Sequence, residues 1–376
     1  AGYADKTNVD NVDVTNLAIT GDSNLPSGKM GGLIGYNKVS SGSGYTLQNS
    51  QVSGTINGFG LYVAGLVGSN EQVAISNSSA NVAVTSTTGD YVGGLVGYNY
   101  GANITNSSAT GNVTATGRSY VGGLIGYNIG ISGIGALISG SYATGKVIGA
   151  STVGGLIGYN TTYSTINGSY ATGDVEATGN NIGGLVGENF NSKIGYTTEN
   201  YATGNVTGAS YVGGLIGKNS YSTVTSYTGS KISGNITISG GTVSGVSYVG
   251  GLIGKNETSA ITNSVATGSV SSTITSDAYT GGLVGDNNSS IASSSATGNV
   301  NAAGRYVGGL VGNNSSTSIS NSFATGNVSG SSTVGGLVGN NFSVTVDNSY
   351  ATGNVSGTSL YVGGLIGLNN YNSTIT

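Results

Sequence analysis

The chain has 376 residues, of which only 6% are charged and 71 are glycine, with a formal net charge of −4 and neither cysteine nor histidine. Disulfides, thiol chemistry, His-dependent nucleophilic triads and most zinc sites are excluded by that composition, and ten Lys and Arg spread along the chain leave no basic patch for nucleic acid. No run of 18 apolar residues is present, so no membrane span is expected, and the glycines do not recur at every third position as in collagen.

The chain begins Ala1-Gly2-Tyr3-Ala4-Asp5, which is not a signal peptide and is compatible with a mature end left after one is removed. Residues 1–30 read as an N-terminal segment leading into the first coil. They carry a local acidic group, Asp5, Asp10, Asp13 and Asp22. Its spacing matches no calcium-loop pattern, so solvated loop acids are expected there, and no metal or cofactor.

From residue 31 onward one repeat dominates. Gly-Gly-Leu-(Ile/Val)-Gly begins at Gly31, Gly93, Gly122, Gly154, Gly183, Gly213, Gly250, Gly281, Gly308, Gly335 and Gly363, and Ala64 begins a twelfth copy. Every copy continues Gly-x-Asn, giving Asn37, Asn70, Asn99, Asn128, Asn160, Asn189, Asn219, Asn256, Asn287, Asn314, Asn341 and Asn369. A second segment close to Ser-Tyr-Ala-Thr-Gly-Asn-Val follows, clearest at residues 141–147, 169–175 and 349–355, and a short apolar-centred piece such as residues 102–106 lies between. Each copy therefore reads as two or three strands joined by Gly, Asn and Ser turns. Such a unit cannot bury its apolar face alone, but stacked copies can, with the same strand of each coil pairing in parallel. The expected fold is an all-β parallel solenoid, a flattened β-helix of about twelve coils, with residues 31–376 as one continuous domain. The longest interval between copies is assigned to a surface insertion at residues 237–247.

In residues 141–147, alternation puts Ser141, Ala143, Gly145 and Val147 on one face and Tyr142, Thr144 and Lys146 on the other. The inner set is small, so the opposing wall must come close. In residues 120–126 both alternating sets are apolar. Either the outer face is covered by a neighbouring rod, or a Gly-Gly bulge turns Val121 and Leu124 to the same side. The twelve asparagines are expected to form a structural ladder at a turn, in the left-handed conformation that Asn tolerates. Tyr62, Tyr91, Tyr120, Tyr211, Tyr306 and Tyr361, each ahead of Val-Gly-Gly or its variant, suggest a stacked row and a possible assembly face. Glu188 and Asp286 occupy the variable slot of Gly-x-Asn and are expected at an exposed turn.

Gly-Gly-Leu-(Ile/Val)-Gly-x-Asn closely resembles the GLUG motif, with twelve copies between Gly31 and Asn369. The resemblance implies a secreted or surface protein of bacteria or archaea; where the motif accompanies immunoglobulin A peptidases it is an accessory region, and their His-Glu-x-x-His signature cannot exist in a chain without histidine. No enzyme activity is expected. The favoured expectation is an extracellular or cell-surface structural protein that partners itself, packing laterally and end to end into a sheath, surface layer or fibre. The alternative is an adhesin stalk or passenger segment binding surface glycans or host proteins, with its patch on the insertion near Ser239-Gly240-Gly241.

Overall fold

The computed structural model of the chain describes every residue except 1, 23, 25, 26, 41–43, 196–198, 221–230, 233–235, 239, 240, 258 and 316, with backbone alone for 231, 232 and 236–238. The fold is all-β, with parallel sheets stacked as a β-solenoid of about twelve turns of ~29 residues. The residues group into two compact units, 1–178 with 185–193, and 179–184 with 194–376. Both units use the same coil.

A regular coil of unit 1 contains five short strands: β1 (Tyr91–Gly93), β2 (Val96–Tyr100), β3 (Ile104–Thr105), β4 (Ser108–Ala109) and β5 (Val113–Thr114). This exceeds the two or three read from the sequence, because glycine-bearing bends divide both long segments. Each strand pairs in parallel with its counterpart one coil on. Val92 lies opposite Val121, Asn99 opposite Asn128, Ile104 opposite Ile138, Ala109 opposite Ala143 and Val113 opposite Val147. Within unit 1 the β2 position is filled seven times, from Tyr3–Asp5 to Val186–Phe190. Residues 3–20 thus already make a coil, pairing with residues 36–38, 47–48 and 51–57. Unit 2 fills the position six times, from Ile216–Ser220 to Ile366–Asn370, in the same register: Asn256 faces Asn287, and Val284 faces Val311.

The Gly-Gly-Leu run is a corner between two sheets. β1 stops at Gly93 and β2 starts at Val96, with Gly94 and Leu95 in the bend. The backbone ladder continues through it: the Leu95 N–H donates to the Leu124 carbonyl at 2.9 Å, and in unit 2 Leu283 donates to Leu310 at 2.8 Å. Val92, Leu95 and Val96 are all fully buried. A straight strand would send these side chains to opposite faces, and the bend turns them all inward. Of the two readings left open above, the one in which the run bends is correct, and no neighbouring rod is needed to cover an outer apolar face. A second kink comes just before the glycines, where Tyr120 and Thr152 in unit 1 and Tyr211 and Tyr248 in unit 2 take φ of +53° to +54°.

The core is narrow where the sequence indicated. A Cβ built on Gly94 would sit against the Gly123 carbonyl and the Ala109 methyl, and one on Gly309 against the Gly336 carbonyl and the Ala324 methyl. The second glycine of each pair thus lets the corner touch the alanine of the Ala-Thr-Gly wall. Ser141, Ala143 and Val147 are buried as expected, and Thr144 is exposed. Each fully buried Leu, Ile or Val contributes on the order of 2 kcal/mol by leaving water.

The insertion lies elsewhere than expected. Ile236–Ile238 pairs with residues 264–266, and Val243–Gly245 pairs with residues 206–207 and 270–272, so these are regular strands of the coil. Asn219 pairs with Asn256 and Ile232 with Ile261, yet thirteen positions separate the first of each pair where five separate the second. The extra residues are therefore upstream, between 219 and 232. Low complexity on both sides of the boundary made the two placements look alike in the sequence. Ser239 and Gly240 lie outside the described residues.

Candidate functional site: the ladders and the outer slot

The Gly-x-Asn asparagines form a continuous buried ladder within each unit. In unit 1 the Nδ2 of Asn37 donates to Oδ1 of Asn70, and so on through Asn99, Asn128, Asn160 and Asn189, at 2.8–3.0 Å. In unit 2 the same chain runs from Asn219 through Asn256, Asn287, Asn314 and Asn341 to Asn369, at 2.9–3.1 Å. All but Asn369 are buried. The second amide hydrogen closes the corner into β3, as from Asn99 to the Ala102 carbonyl (2.8 Å) and from Asn256 to the Ser259 carbonyl (2.8 Å). The ladder amides thus find acceptors inside the protein, which is what buried amides require.

The ladder is as expected, but its conformation is not. These asparagines sit in β2-type strands, and none has a positive φ. A separate set of left-handed residues stands at the β3–β4 turn, among them Asn49, Asn77, Asn106, Gly140 and Gly168 in unit 1, and Asn263, Ser293, Asn321 and Asn348 in unit 2. A serine follows each, and these serines make a second ladder that the sequence reading missed. The Ser78 N–H donates to Ser107 Oγ at 3.2 Å and the Ser294 N–H to Ser322 Oγ at 3.1 Å, while each Oγ donates to the carbonyl two residues back. In so serine-rich a chain, only the fixed offset from the β3 isoleucine would have singled them out.

The tyrosine row is real in both units. Tyr62, Tyr91 and Tyr120 stack with centroids 5.1 and 5.4 Å apart. Tyr211 lies 4.8 Å from Tyr248, which contacts Tyr279, which stacks on Tyr306 at 5.2 Å. Tyr361, in the last coil, is exposed and lies opposite Thr333.

What the sequence reading missed is that the variable slot of Gly-x-Asn faces the same side as this row. In unit 1 four of the six slots hold tyrosine (Tyr36, Tyr98, Tyr127 and Tyr159) and the others Ser69 and Glu188, and the rings interleave: Tyr98 is 5.5 Å from Tyr62, and Tyr127 is 5.4 Å from Tyr91 and 5.5 Å from Tyr120. Lys29 Nζ stands 3.1 Å over the Tyr36 ring and 3.9 Å from Glu71. Burial pushes the Tyr36 and Tyr127 phenols up to about 12, and Tyr98 and Tyr159 higher still, so the cluster is neutral at physiological pH. None of the slot residues is exposed at a turn; Glu188 and Asp286 are half-buried. Tyr91 and Tyr98 are seven residues apart, which on a straight strand means opposite faces; the Gly-Leu corner brings them together.

In unit 2 five of the six slots are polar (Lys218, Lys255, Asp286, Asn313 and Asn340) and the sixth holds Leu368. Lys218 and Lys255 lie 3.4 and 3.3 Å from Glu257, Asn313 Nδ2 donates to Asp286 Oδ1 at 2.8 Å, and Asn340 donates to Asn313 at 2.8 Å. Burial raises the Asp286 carboxyl above the ordinary range, against the lowering effect of Asn313 and Lys255. For Lys255, burial works downward, but Glu257 and Asp286 outweigh it and the amine is raised.

The N-terminal acids do not converge. Asp5, Asp10 and Asp13 lie on three successive strands of the first coil and bond Ser40, Asn49 and Gln51 respectively, while Asp22 accepts from Asn24. Hydrogen bonds from Ser40 and from Asn49 hold Asp5 and Asp10 below the usual carboxylate range. Among the described residues no group of three or more acids gathers as for a metal, and no helix is long and apolar enough to cross a membrane.

Five stretches, residues 88–114, 117–148, 149–176, 245–271 and 303–329, match the family model of the GLUG motif. The chain carries GLUG repeats. Each matched stretch runs from just before a β1-type strand to a β5-type strand, so the GLUG repeat and the structural coil are the same object. No curated protein and no solved structure matches the chain.

Proposed function

We propose that this GLUG-repeat chain is a non-catalytic structural protein of the cell surface or extracellular space that assembles with copies of itself by stacking coil on coil. GLUG repeats on a β-solenoid fit a repeat structural or surface protein. The observation that carries the assembly reading is the coil-to-coil interface itself: parallel strands in one register, a buried amide ladder such as Asn99–Asn128 and a buried apolar row such as Val92–Val121, which the coils of a second copy could extend. The support is for end-to-end stacking; lateral packing loses its motive, since the apolar corner residues face inward.

The test is sedimentation and electron microscopy of the purified chain across concentration. Linear polymers are expected. A monomer at every concentration would refute assembly while leaving the solenoid intact.

A further inference from the structure

We propose that the groove on unit 2 bounded by Tyr248, Tyr279, Lys255, Glu257, Asp286 and Asn313 binds a neutral oligosaccharide. The groove exists because of what the outer slot holds. In unit 1, slot tyrosines fill the space beside the tyrosine row, with Tyr127 within 5.5 Å of both Tyr91 and Tyr120. In unit 2, Asp286 and Asn313 occupy that slot, both too short to cover Tyr248 and Tyr279, and a cavity of about 480 Å³ results. That volume lies within the roughly 300–1,000 Å³ of small-molecule sites.

The lining is chemically mixed and held in place. One wall is the pair of tyrosine rings, 5.0 Å apart and steeply inclined. The floor alternates donors and acceptors along and across the strands: Lys255, Asp286 and Asn313 in one column, Glu257 and Asn288 in the next. The Lys255–Glu257 contact (3.3 Å) and the Asn313–Asp286 hydrogen bond (2.8 Å) fix these groups before any ligand arrives. With Lys218 and Lys255 paired to Glu257 and Asp286 beside them, the groove has no excess of cations to attract phosphates and other polyanions. It suits a ligand that carries many hydroxyls, each both donor and acceptor, together with apolar C–H surface for the ring wall. Sugars have that combination. The buried, upward-shifted Asp286 carboxyl fits the same picture, because a partly desolvated acceptor gains most from a hydroxyl donor.

The test uses the full chain with three soluble probes: the tetramers of N-acetylglucosamine, β-1,4-glucose and α-1,4-glucose. Saturation-transfer NMR and calorimetry read binding. At least one probe should bind, and the double variant Asp286→Tyr/Asn313→Tyr, which installs the unit 1 slot residues, should weaken it at least tenfold. Tyrosine already occupies this slot at Tyr98, Tyr127 and Tyr159, so the coil accommodates it; unchanged circular dichroism checks that. Asp286→Asn, which keeps the groove open, should weaken binding less than the filled variant. Absence of binding by all three probes up to about 10 mM, beyond useful affinity, or undiminished binding in the folded double variant, would overturn the proposal.

Discussion

Unit 1 and unit 2 carry the same five-bond asparagine ladder and the same glycine–alanine contact across the core, yet one residue position separates their surfaces. Between Gly and Asn, unit 1 places Tyr98, Tyr127 and Tyr159 against the tyrosine row, while unit 2 places Lys255, Asp286 and Asn313 there. The inward positions have no such latitude, because a Cβ on the corner glycine meets backbone of the next coil. The comparison teaches where a stacked coil can change without unfolding: on a half-buried position whose neighbours are other side chains.

The largest effect should come from the corner and should be equal in the two units. Gly123→Val and Gly309→Val drive a side chain into backbone and an opposing alanine, and each should cost about 3 kcal/mol or more, read as a lowered thermal midpoint. Tolerance in one unit only would break the equivalence. Next comes the ladder. Asn128→Ala leaves the Asn99 amide without its acceptor and the Asn160 carbonyl without its donor, and Asn287→Ala does the same to Asn256 and Asn314; each should cost about 2–3 kcal/mol.

The outer slot should then separate the units. Tyr127→Ser removes several ring contacts and should cost about 1–2 kcal/mol, against less than about 1 kcal/mol for Asn313→Ser, by the same melting measurement. Alkaline titration sharpens this. A phenol raised by burial is neutral in both states below pH ~10; above that the unfolded chain ionises first, so stability is lost as pH climbs from ~10 towards the folded value of about 12 for Tyr36 and Tyr127. Among the described residues such tyrosines include Tyr36, Tyr62, Tyr91, Tyr98, Tyr127 and Tyr159 in unit 1 and Tyr248 and Tyr279 in unit 2, so exchange of unit 1 amides should accelerate more. The smallest effect is expected at Asp286→Asn. With the folded carboxyl raised, the stability it contributes is present at low pH and lost as pH rises through the folded value. The variant should therefore match the parent in acid and equal or exceed it at neutral pH.

The period of the repeat and the two-residue alternation made the solenoid and the small inner wall at Ser141, Ala143 and Val147 legible in the sequence. Alternation failed at residues 120–126 because it assumes a straight strand, and the Gly-Leu corner resets which face each residue meets. The same reset hid the slot: Glu188 and Asp286 read as exposed turn residues and instead are half-buried, Glu188 opposite Tyr159 and Asp286 beside Tyr248 and Tyr279. Asparagine was ambiguous for a different reason. It suits both a left-handed turn and a buried amide ladder, and the chain uses Asn77 and Asn106 for the first and Asn99 and Asn128 for the second.

Side-chain amide hydrogen exchange of the GLUG asparagines, followed by NMR, tests most directly that one buried ladder builds both units. Slow exchange of the Nδ2 hydrogens is expected for Asn99 and Asn128 in unit 1 and equally for Asn287 and Asn314 in unit 2, far below the rate of the surface residues Asn103 and Asn327. Exchange at the surface rate in either unit would contradict it.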